Sequence, residues 1–143
     1  MATALNEPEL VLAVMAKPAD VDANGELCDG RIAELVDIAG GQLAAHLAGG
    51  CIATAALNVI VFKRPVSIGD SLSFYALLLH LENTSITLRV DVYAERNPAD
   101  ARVVKVTQAD VTYVAIDRQG RPRSLAANDG KVSDDRNTMP AND

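Results

Sequence analysis

Aromatic residues are scarce in this chain. They make up 3% of its 143 residues and tryptophan is absent, whereas 49% of the residues are hydrophobic. A chain of this length forms one domain that can bury a sizeable core. Because rings are so few, that core must be aliphatic, built from valine, leucine, isoleucine and alanine.

Paired cysteines, long apolar runs and metal motifs are also missing. Cys28 and Cys51 form no CxxC pair and have no histidine at metal-ligand spacing, so we expect two buried, reduced thiols. No apolar stretch reaches the roughly 20 residues that cross a bilayer, and residues 1–9 do not read as a secretory leader. No Walker loop, zinc motif or dinucleotide fingerprint is present. These absences predict a cytoplasmic protein without a metal.

Positive charge is in deficit. The formal net charge is -6 and the pI is about 4.8. An acidic chain repels phosphate backbones and anionic lipid, which argues against nucleic acid and membrane surfaces as partners. An anionic ligand would therefore need a local basic patch, and Lys63-Arg64 before Pro65 is the clearest one.

Hydrophobic periodicity predicts one helix and five strands. Apolar residues recur at helical spacing over 31–48, with Asp29 placed to cap the helix and Gly49 to end it. Period-two patterns predict strands at 9–15, 53–63, 71–81, 85–94 and 102–116. The apolar phase of the last strand slips by one residue, which predicts a β-bulge near Thr107-Gln108.

The order of these elements predicts the fold. Short links between the last four strands favour antiparallel neighbours, and one helix can cover only one face of their sheet. This is the α+β hotdog layout, a curled antiparallel sheet wrapped around one long helix. Free sheet edges and leftover apolar surface favour pairing with a second copy. We expect one domain over residues 1–125, a turn at 97–100 and a disordered polar tail at 126–143.

Asp37 is the best candidate for chemistry. It lies in the least polar stretch of the helix, and residues 32–62 contain no lysine or arginine to neutralise it. A carboxylate at the border of an apolar stripe can act as a general base, although an exposed carboxylate on the wet face of the helix is the alternative. The loop at 22–30, which includes Asn24, Gly25 and Gly30, could offer amides to a developing oxyanion, or it could be an ordinary loop.

Ten short segments also match the motifs of one protein family. They are Leu10–Leu12, Pro18–Asp20, Asn24–Glu26, Gly30, Asp37–Gly41, Phe62–Val66, Gly69–Asp70, Thr84–Ser85, Tyr113–Asp117 and Gly120–Pro122. With them the chain resembles the YciA-type acyl-CoA thioesterases over about residues 9–125. The resemblance implies hydrolysis of acyl-CoA to a free acid and coenzyme A, with no cofactor beyond the coenzyme A of the substrate. It also implies dimers that share active sites, assembled as trimers of dimers.

The resemblance assigns roles to particular residues. It makes Asp37 the catalytic carboxylate and places four further residues at the catalytic site, namely Asp22, Asn24, Gly25 and Gly30. We expect coenzyme A phosphates at the basic pair, with Thr84 and Ser85 nearby; the cofactor-site residues are thus Lys63, Arg64, Thr84 and Ser85.

The helix start departs from the family pattern at four positions. Asp22 replaces an asparagine, Cys28 a phenylalanine, Asp29 a glycine and Arg31 a tryptophan. An ionised aspartate cannot donate the hydrogen bond of an amide. These departures leave a second function open, a module that binds acyl-CoA without turnover. A hotdog dehydratase or hydratase is a third, but it needs a histidine at the loop-to-helix site, where neither His46 nor His80 lies.

Overall fold

The computed structural model describes residues 7–96 and 102–125. It contains one long helix and five strands. They are β1 (Glu9–Met15), α1 (Asp29–Ala48), β2 (Ile52–Phe62), β3 (Ser71–Leu81), β4 (Ser85–Glu95) and β5 (Val103–Ala115). The turn expected at 97–100 and the tail expected at 126–143 lie outside the described residues. Across the part of the chain that is described, no helix is long and apolar enough to cross a membrane.

The strands form a single antiparallel sheet in the order β1-β3-β4-β5-β2. The sheet curls around α1, and the fold is the predicted hotdog fold. In β4 every second side chain is buried, as the strict alternation of the sequence requires. The core between the sheet and the helix is mainly aliphatic, and Tyr113 and Phe74 are its only fully buried rings among the described residues.

One expected neighbour relation is wrong. The link at 63–70 is short, yet β2 and β3 do not pair, because β2 lies beyond β5 at one edge of the sheet. The link instead crosses the end of the curled sheet and buries Val66 in the core. The Val66 carbonyl accepts a hydrogen bond from the Leu27 amide at 2.7 Å, which ties the link to the loop before α1. The course of this link is determined by tertiary packing, which cannot be predicted from the length of the link.

The cap assignment and the cysteine burial are also corrected. Helix α1 begins at Asp29 itself, and Cys28 is the N-cap, whose carbonyl accepts from the Ile32 amide at 3.1 Å. Asp29 therefore lies in the first turn, where its negative charge still interacts favourably with the helix dipole. Both Cys28 and Cys51 are exposed in this chain, since one precedes and the other follows the helix at the surface. The helix ends as predicted, with Gly49 in the left-handed region at φ 67°.

The phase slip in β5 is a bulge, as predicted. Val92 pairs with Thr107 and Tyr93 pairs with Lys105, so Val106 is the extra residue, immediately before the predicted pair. Edge strand β2 carries two further irregularities, at Ala55 and Asn58, which the sequence did not indicate. Bulges bend a strand and increase its twist, so they help this edge to follow the curl of the sheet.

Strand β2 exposes an unusual amount of apolar surface for an edge. Leu57, Val59, Val61 and Phe62 are all exposed. An edge strand with free backbone groups and apolar side chains is a template for pairing with another chain. Strand β2 therefore presents free hydrogen-bonding groups and apolar side chains at the same edge of the sheet.

Candidate active site

Asp37 lies in the middle of α1, between buried Val36 and exposed Ile38. The side chain is half-buried, at the border predicted from the helical periodicity. Its carboxylate oxygen Oδ1 accepts a hydrogen bond from the Thr54 hydroxyl at 2.7 Å. A carboxylate that is both accessible and oriented in this way can take a proton from water or attack a carbonyl carbon.

The backbone of Asp37 has a second anchor. The Tyr113 hydroxyl donates a hydrogen bond to the Asp37 carbonyl oxygen at 2.9 Å. Burial raises the pKa of Tyr113 well above its usual range, and the charge of Asp37 raises it further. The phenol therefore remains a hydrogen-bond donor throughout the neutral pH range.

Neither partner of Asp37 was predicted from the sequence. Thr54 stands 17 positions away and Tyr113 stands 76 positions away, so no helical or strand spacing connects them to Asp37. One signal was available for Thr54, which is the single hydroxyl residue among the small and apolar residues of 52–57. For Tyr113 the signal was its place in a buried strand, because a buried phenol hydroxyl needs a partner.

The loop before α1 is a hydrogen-bonded turn built on Asp22. The Asp22 carboxylate accepts from the amides of Asn24 at 2.8 Å and Glu26 at 3.1 Å. Gly25 adopts φ 80°, a left-handed conformation that favours glycine, and its amide donates to the Asp22 carbonyl at 3.0 Å. Asp22 thus takes part in closing its own loop, a local role that aspartate and asparagine share.

A single chain does not join this loop to Asp37. Within residues 7–96 and 102–125, no hydrogen bond or ion pair connects Asp22, Asn24 or Gly25 with the Asp37 carboxylate. Gly30 lies in the first turn of α1, where a Cβ would meet no atom within 4 Å. The open space beside Gly30 leaves the backbone at the helix start accessible from outside.

Arg31, one of the departures from the family pattern, is engaged by acidic neighbours. Its Nη1 donates to Glu34 at 2.9 Å, and its Nε lies 3.4 Å from Asp20. Both carboxylates favour the charged guanidinium, and the hydrogen bond to Glu34 is the main reason that the pKa of Arg31 is raised. The guanidinium is therefore largely neutralised within its own chain.

The basic pair lies at the far end of β2 from Asp37. Lys63 and Arg64 are exposed and line a shallow cleft with Pro65, Val104 and Lys105. Lys105 is already paired with Asp91 at 3.1 Å. No ion pair involves Lys63 or Arg64 among the described residues, so their charges are available to an anion.

The link that carries this pair is held in place. Arg96 donates to the Pro65 carbonyl and lies 3.9 Å from the buried Asp70 carboxylate. Asp70 in turn accepts from the Ser67 amide at 2.9 Å. The backbone after the basic pair therefore has a fixed course.

Thr84 and Ser85 do not share this surface within one chain. Lys63 bonds to the Val106 carbonyl of β5, whereas Ser85 pairs with Val114 of the same strand. These points are eight residue steps apart on β5, roughly 26 Å measured along the strand at about 3.3 Å per residue. The two pairs are therefore not neighbours within one chain, and their shared role toward coenzyme A stays a prediction.

The histidines and acidic residues offer no other centre. His46 is exposed in the last turn of α1, nine residues or about 13 Å from Asp37 along the helix axis. His80 is exposed near the end of β3. In the described part of the chain, no group of three or more histidine, cysteine, aspartate or glutamate side chains is placed to hold a metal ion.

Comparison with known proteins identifies the group to which this geometry belongs. The family model described as the thioesterase superfamily matches residues 24–101. The acyl-CoA thioester hydrolase YciA of Escherichia coli strain K12 is 35% identical over 129 residues, which cover 87% of this chain and 98% of that protein.

Solved structures agree with the sequence comparison. The hexameric thioesterase y2039 from Yersinia pestis is 35% identical with a TM-score of 0.79, and the match covers 85% of this chain and 98% of that one. The hexameric hotdog fold thioesterase Cj0915 of Campylobacter jejuni is 32% identical with a TM-score of 0.79, covering 87% and 95%. The chain therefore belongs to the thioesterase superfamily, among its YciA-type acyl-CoA thioester hydrolases.

Proposed function

We propose that this protein hydrolyses the thioester of acyl-CoA to a free acid and coenzyme A, with Asp37 as the reacting carboxylate. The observation that carries the proposal is the Asp37 carboxylate itself. It is half-buried on the helix of a hotdog fold and oriented by the Thr54 hydroxyl at 2.7 Å. Relatives that match nearly the whole domain carry the same activity in their names.

The proposed reaction needs only this carboxylate, water and hydrogen-bond donors. As general base, Asp37 takes a proton from water while the water oxygen bonds to the thioester carbon. The resulting tetrahedral oxyanion collapses, the carbon–sulfur bond breaks, and the coenzyme A sulfur receives a proton. As nucleophile, Asp37 would instead attack the thioester carbon and expel the coenzyme A thiolate, which takes up a proton; water then hydrolyses the resulting acyl anhydride to the free acid and restores the carboxylate. Thr54 holds the carboxylate in position in either route.

The oxyanion would be stabilised at the start of a helix. The main-chain amides of Asn24 and Gly25 already donate to Asp22, so the proposed donors are the Gly30 amide in the first turn and the side-chain amide of Asn24. The N-terminal end of a 20-residue helix also favours developing negative charge. Since no hydrogen bond or ion pair among the described residues connects this loop to Asp37 of the same chain, we propose that the loop serves the Asp37 of a second subunit.

The assembly we propose is a dimer at least, arranged as a trimer of dimers. The exposed apolar residues of β2 give a second copy a surface to cover. The y2039 and Cj0915 relatives are hexamers, which three dimers would make. A cytoplasmic location stays a prediction from the sequence.

The coenzyme A site is proposed to combine residues of different subunits. Lys63 and Arg64 supply positive charge for the phosphates, since both are exposed and lack an ion pair among the described residues. Thr84 and Ser85, at the other end of the sheet, would come from another subunit. The substrate is then held across an interface, and assembly becomes a condition for binding.

A non-catalytic acyl-CoA-binding module is the second candidate. Asp22, Asp29 and Arg31 favour it, because they change the charge and size of the helix start. An ionised Asp22 facing the thioester would repel the oxyanion, whereas an amide would stabilise it.

Binding and turnover separate the two candidates. Calorimetry should show binding of coenzyme A, and thiol release should be measured over a panel of acyl-CoAs from short to long chains. Release that saturates with substrate supports the thioesterase. Binding without release at every chain length would establish the module instead.

A further inference from the structure

Two adjacent strands hold one helical residue from two sides. Thr54 of β2 donates to the Asp37 carboxylate at 2.7 Å, and Tyr113 of β5 donates to the Asp37 carbonyl at 2.9 Å. Thr54 and Tyr113 are themselves direct cross-strand partners. The carboxylate and the main chain of Asp37 are thus both held by the same cross-strand pair of residues.

The Tyr113 hydroxyl reaches the helix backbone only because residue 40 lacks a side chain. A Cβ on Gly40 would overlap that hydroxyl and lie 3.2 Å from the ring atom Cζ. Gly41 is different, because its Cβ would meet Tyr113 and Ile52 atoms only at 3.8 and 3.9 Å, ordinary contact distances. We call Gly40 and Tyr113 a matched pair, because the Tyr113 hydroxyl occupies the space that a side chain at residue 40 would need.

Tyr113 has little freedom to move. Its residue exposure is 0%, and it lies in the middle of the core between β2 and β4. The hydroxyl contacts the main chain of the same residue that carries the carboxylate. A shift of the helix along the sheet would therefore change the Tyr113 bond and the position of the carboxylate together.

We propose that Tyr113 is a positioning residue for thioester hydrolysis and that, with Gly40, it fixes the place of Asp37 over the sheet. The inference rests on the proposed function of Asp37. Tyr113 itself touches no substrate, because it is buried beneath the helix. Its effect on catalysis passes through the geometry of Asp37 and Thr54.

Tyr113→Phe tests the hydroxyl alone. The ring keeps its packing, so the variant should fold and assemble, but the helix loses its anchor at Asp37. We expect kcat for acyl-CoA hydrolysis to fall about tenfold with KM unchanged, because misplacement of a reacting group acts on the chemical step. Tyr93→Phe, which removes a phenol hydroxyl away from Asp37, is the matched control and should retain wild-type kcat and KM.

A double-mutant cycle tests the matched pair. Gly40→Ala should lower both Tm and kcat, because its methyl group displaces the Tyr113 hydroxyl. Tyr113→Phe in the same chain should recover part of the lost Tm, since the overlapping oxygen is gone. Gly41→Ala is the control, and its effect on Tm should be the same with Tyr or Phe at position 113.

The outcomes distinguish this inference from the proposed function. Wild-type kcat in Tyr113→Phe, or an equal loss in Tyr93→Phe, would overturn the positioning role while leaving Asp37→Asn to report on the carboxylate. If Tyr113→Phe did not fold, Gly40→Ala would decide in its place, and an unchanged kcat there would contradict the inference. A wild-type protein that hydrolyses no acyl-CoA would reject the proposed function and this inference with it.

Discussion

At the scale of single residues, Asp37 shows how much of a candidate site can be predicted from the sequence. Its type, its lack of basic neighbours in sequence and its angular position on the helix make it the candidate for chemistry from the sequence alone, and its catalytic role stays a prediction. Its partners could not be found in the same way, because Thr54 and Tyr113 are brought to it by strands that follow in the chain. Local periodicity predicts which face of a helix a residue occupies. It does not predict which residues of other elements will contact it.

Asp22 is the departure from the family pattern with the clearest consequence. Replacing Asp22 with asparagine should raise the rate of thiol release at neutral pH, about tenfold or less, because a repelling charge becomes a hydrogen-bond donor toward the oxyanion. Asparagine can keep the turn, since its side-chain oxygen can accept from the Asn24 and Glu26 amides as Asp22 does. Steady-state kinetics with a medium-chain acyl-CoA measures the effect. A slower Asp22→Asn variant would show that the carboxylate assists catalysis.

Tyr113 gives the stability a defined dependence on alkaline pH. Its folded pKa is raised, so the unfolded chain, with a tyrosine pKa near 10, loses the proton first. The contribution of this hydroxyl to stability is therefore complete below about pH 10 and declines as the pH rises toward the folded pKa. Urea unfolding of wild type and Tyr113→Phe should show a gap in stability at pH 8 that narrows above about pH 10. A gap that widens with pH would contradict the burial of a protonated phenol.

At the scale of elements, the hydrophobic periodicity and the glycine and proline positions predicted where the helix and the strands begin and end. The bounds of β1 and β3 were predicted to the residue, and those of the other elements within two. The order of strands was not fully predictable. The link at 63–70 crosses to a non-neighbouring strand because Val66 has a place in the core, which no local signal reveals. The bulges of β2 were not predictable either, because they depend on the curl of the whole sheet.

A buried hydroxyl at the bulge in β5 has no partner among the described residues. Thr107 is fully buried, and its Oγ1 makes no hydrogen bond to any of them. Thr107→Val keeps the shape and removes the cost of the unpaired group, so it should raise the free energy of unfolding by about 1 kcal/mol. Thr112→Val is the matched control on the same strand, and it should be destabilising because Thr112 bonds to Asn58 at 2.8 Å and to Thr87 at 2.9 Å. Urea denaturation of both variants checks the pair, and equal effects would contradict the prediction.

At the scale of the whole molecule, one chain carries only part of the proposed site. Asp37 and its two anchors lie within a chain. Among the described residues no hydrogen bond joins the Asp22 loop to Asp37, and the β5 partners of Lys63 and Ser85 are eight residue steps apart, roughly 26 Å measured along the strand. Sequence motifs named these residues without saying which subunit supplies each. The register of β5 separates Lys63 from Ser85 within one copy, which supports the proposal that different subunits supply them.

The basic pair provides a test of this composite arrangement. Arg64→Ala should weaken coenzyme A binding about tenfold, and more at low salt, because a charge-assisted contact to phosphate is lost. Arg118→Ala, which removes an exposed charge beyond β5, should leave the affinity unchanged. Calorimetry over a range of salt concentrations measures both variants. Equal affinities for Arg64→Ala and wild type would remove this end of the sheet from the site.

The most direct measurement is thiol release by Asp37→Asn beside wild type and Glu9→Gln. The amide at position 37 keeps the size of the side chain and can still accept from Thr54, but it cannot take a proton from water or attack as a carboxylate. Asp37→Asn should lose a factor of about 10²–10⁴ in kcat while it still binds coenzyme A. Glu9→Gln, an exposed carboxylate on the opposite edge strand, should retain wild-type turnover. Wild-type turnover in Asp37→Asn would contradict the account, since the chemistry would then lie at another group.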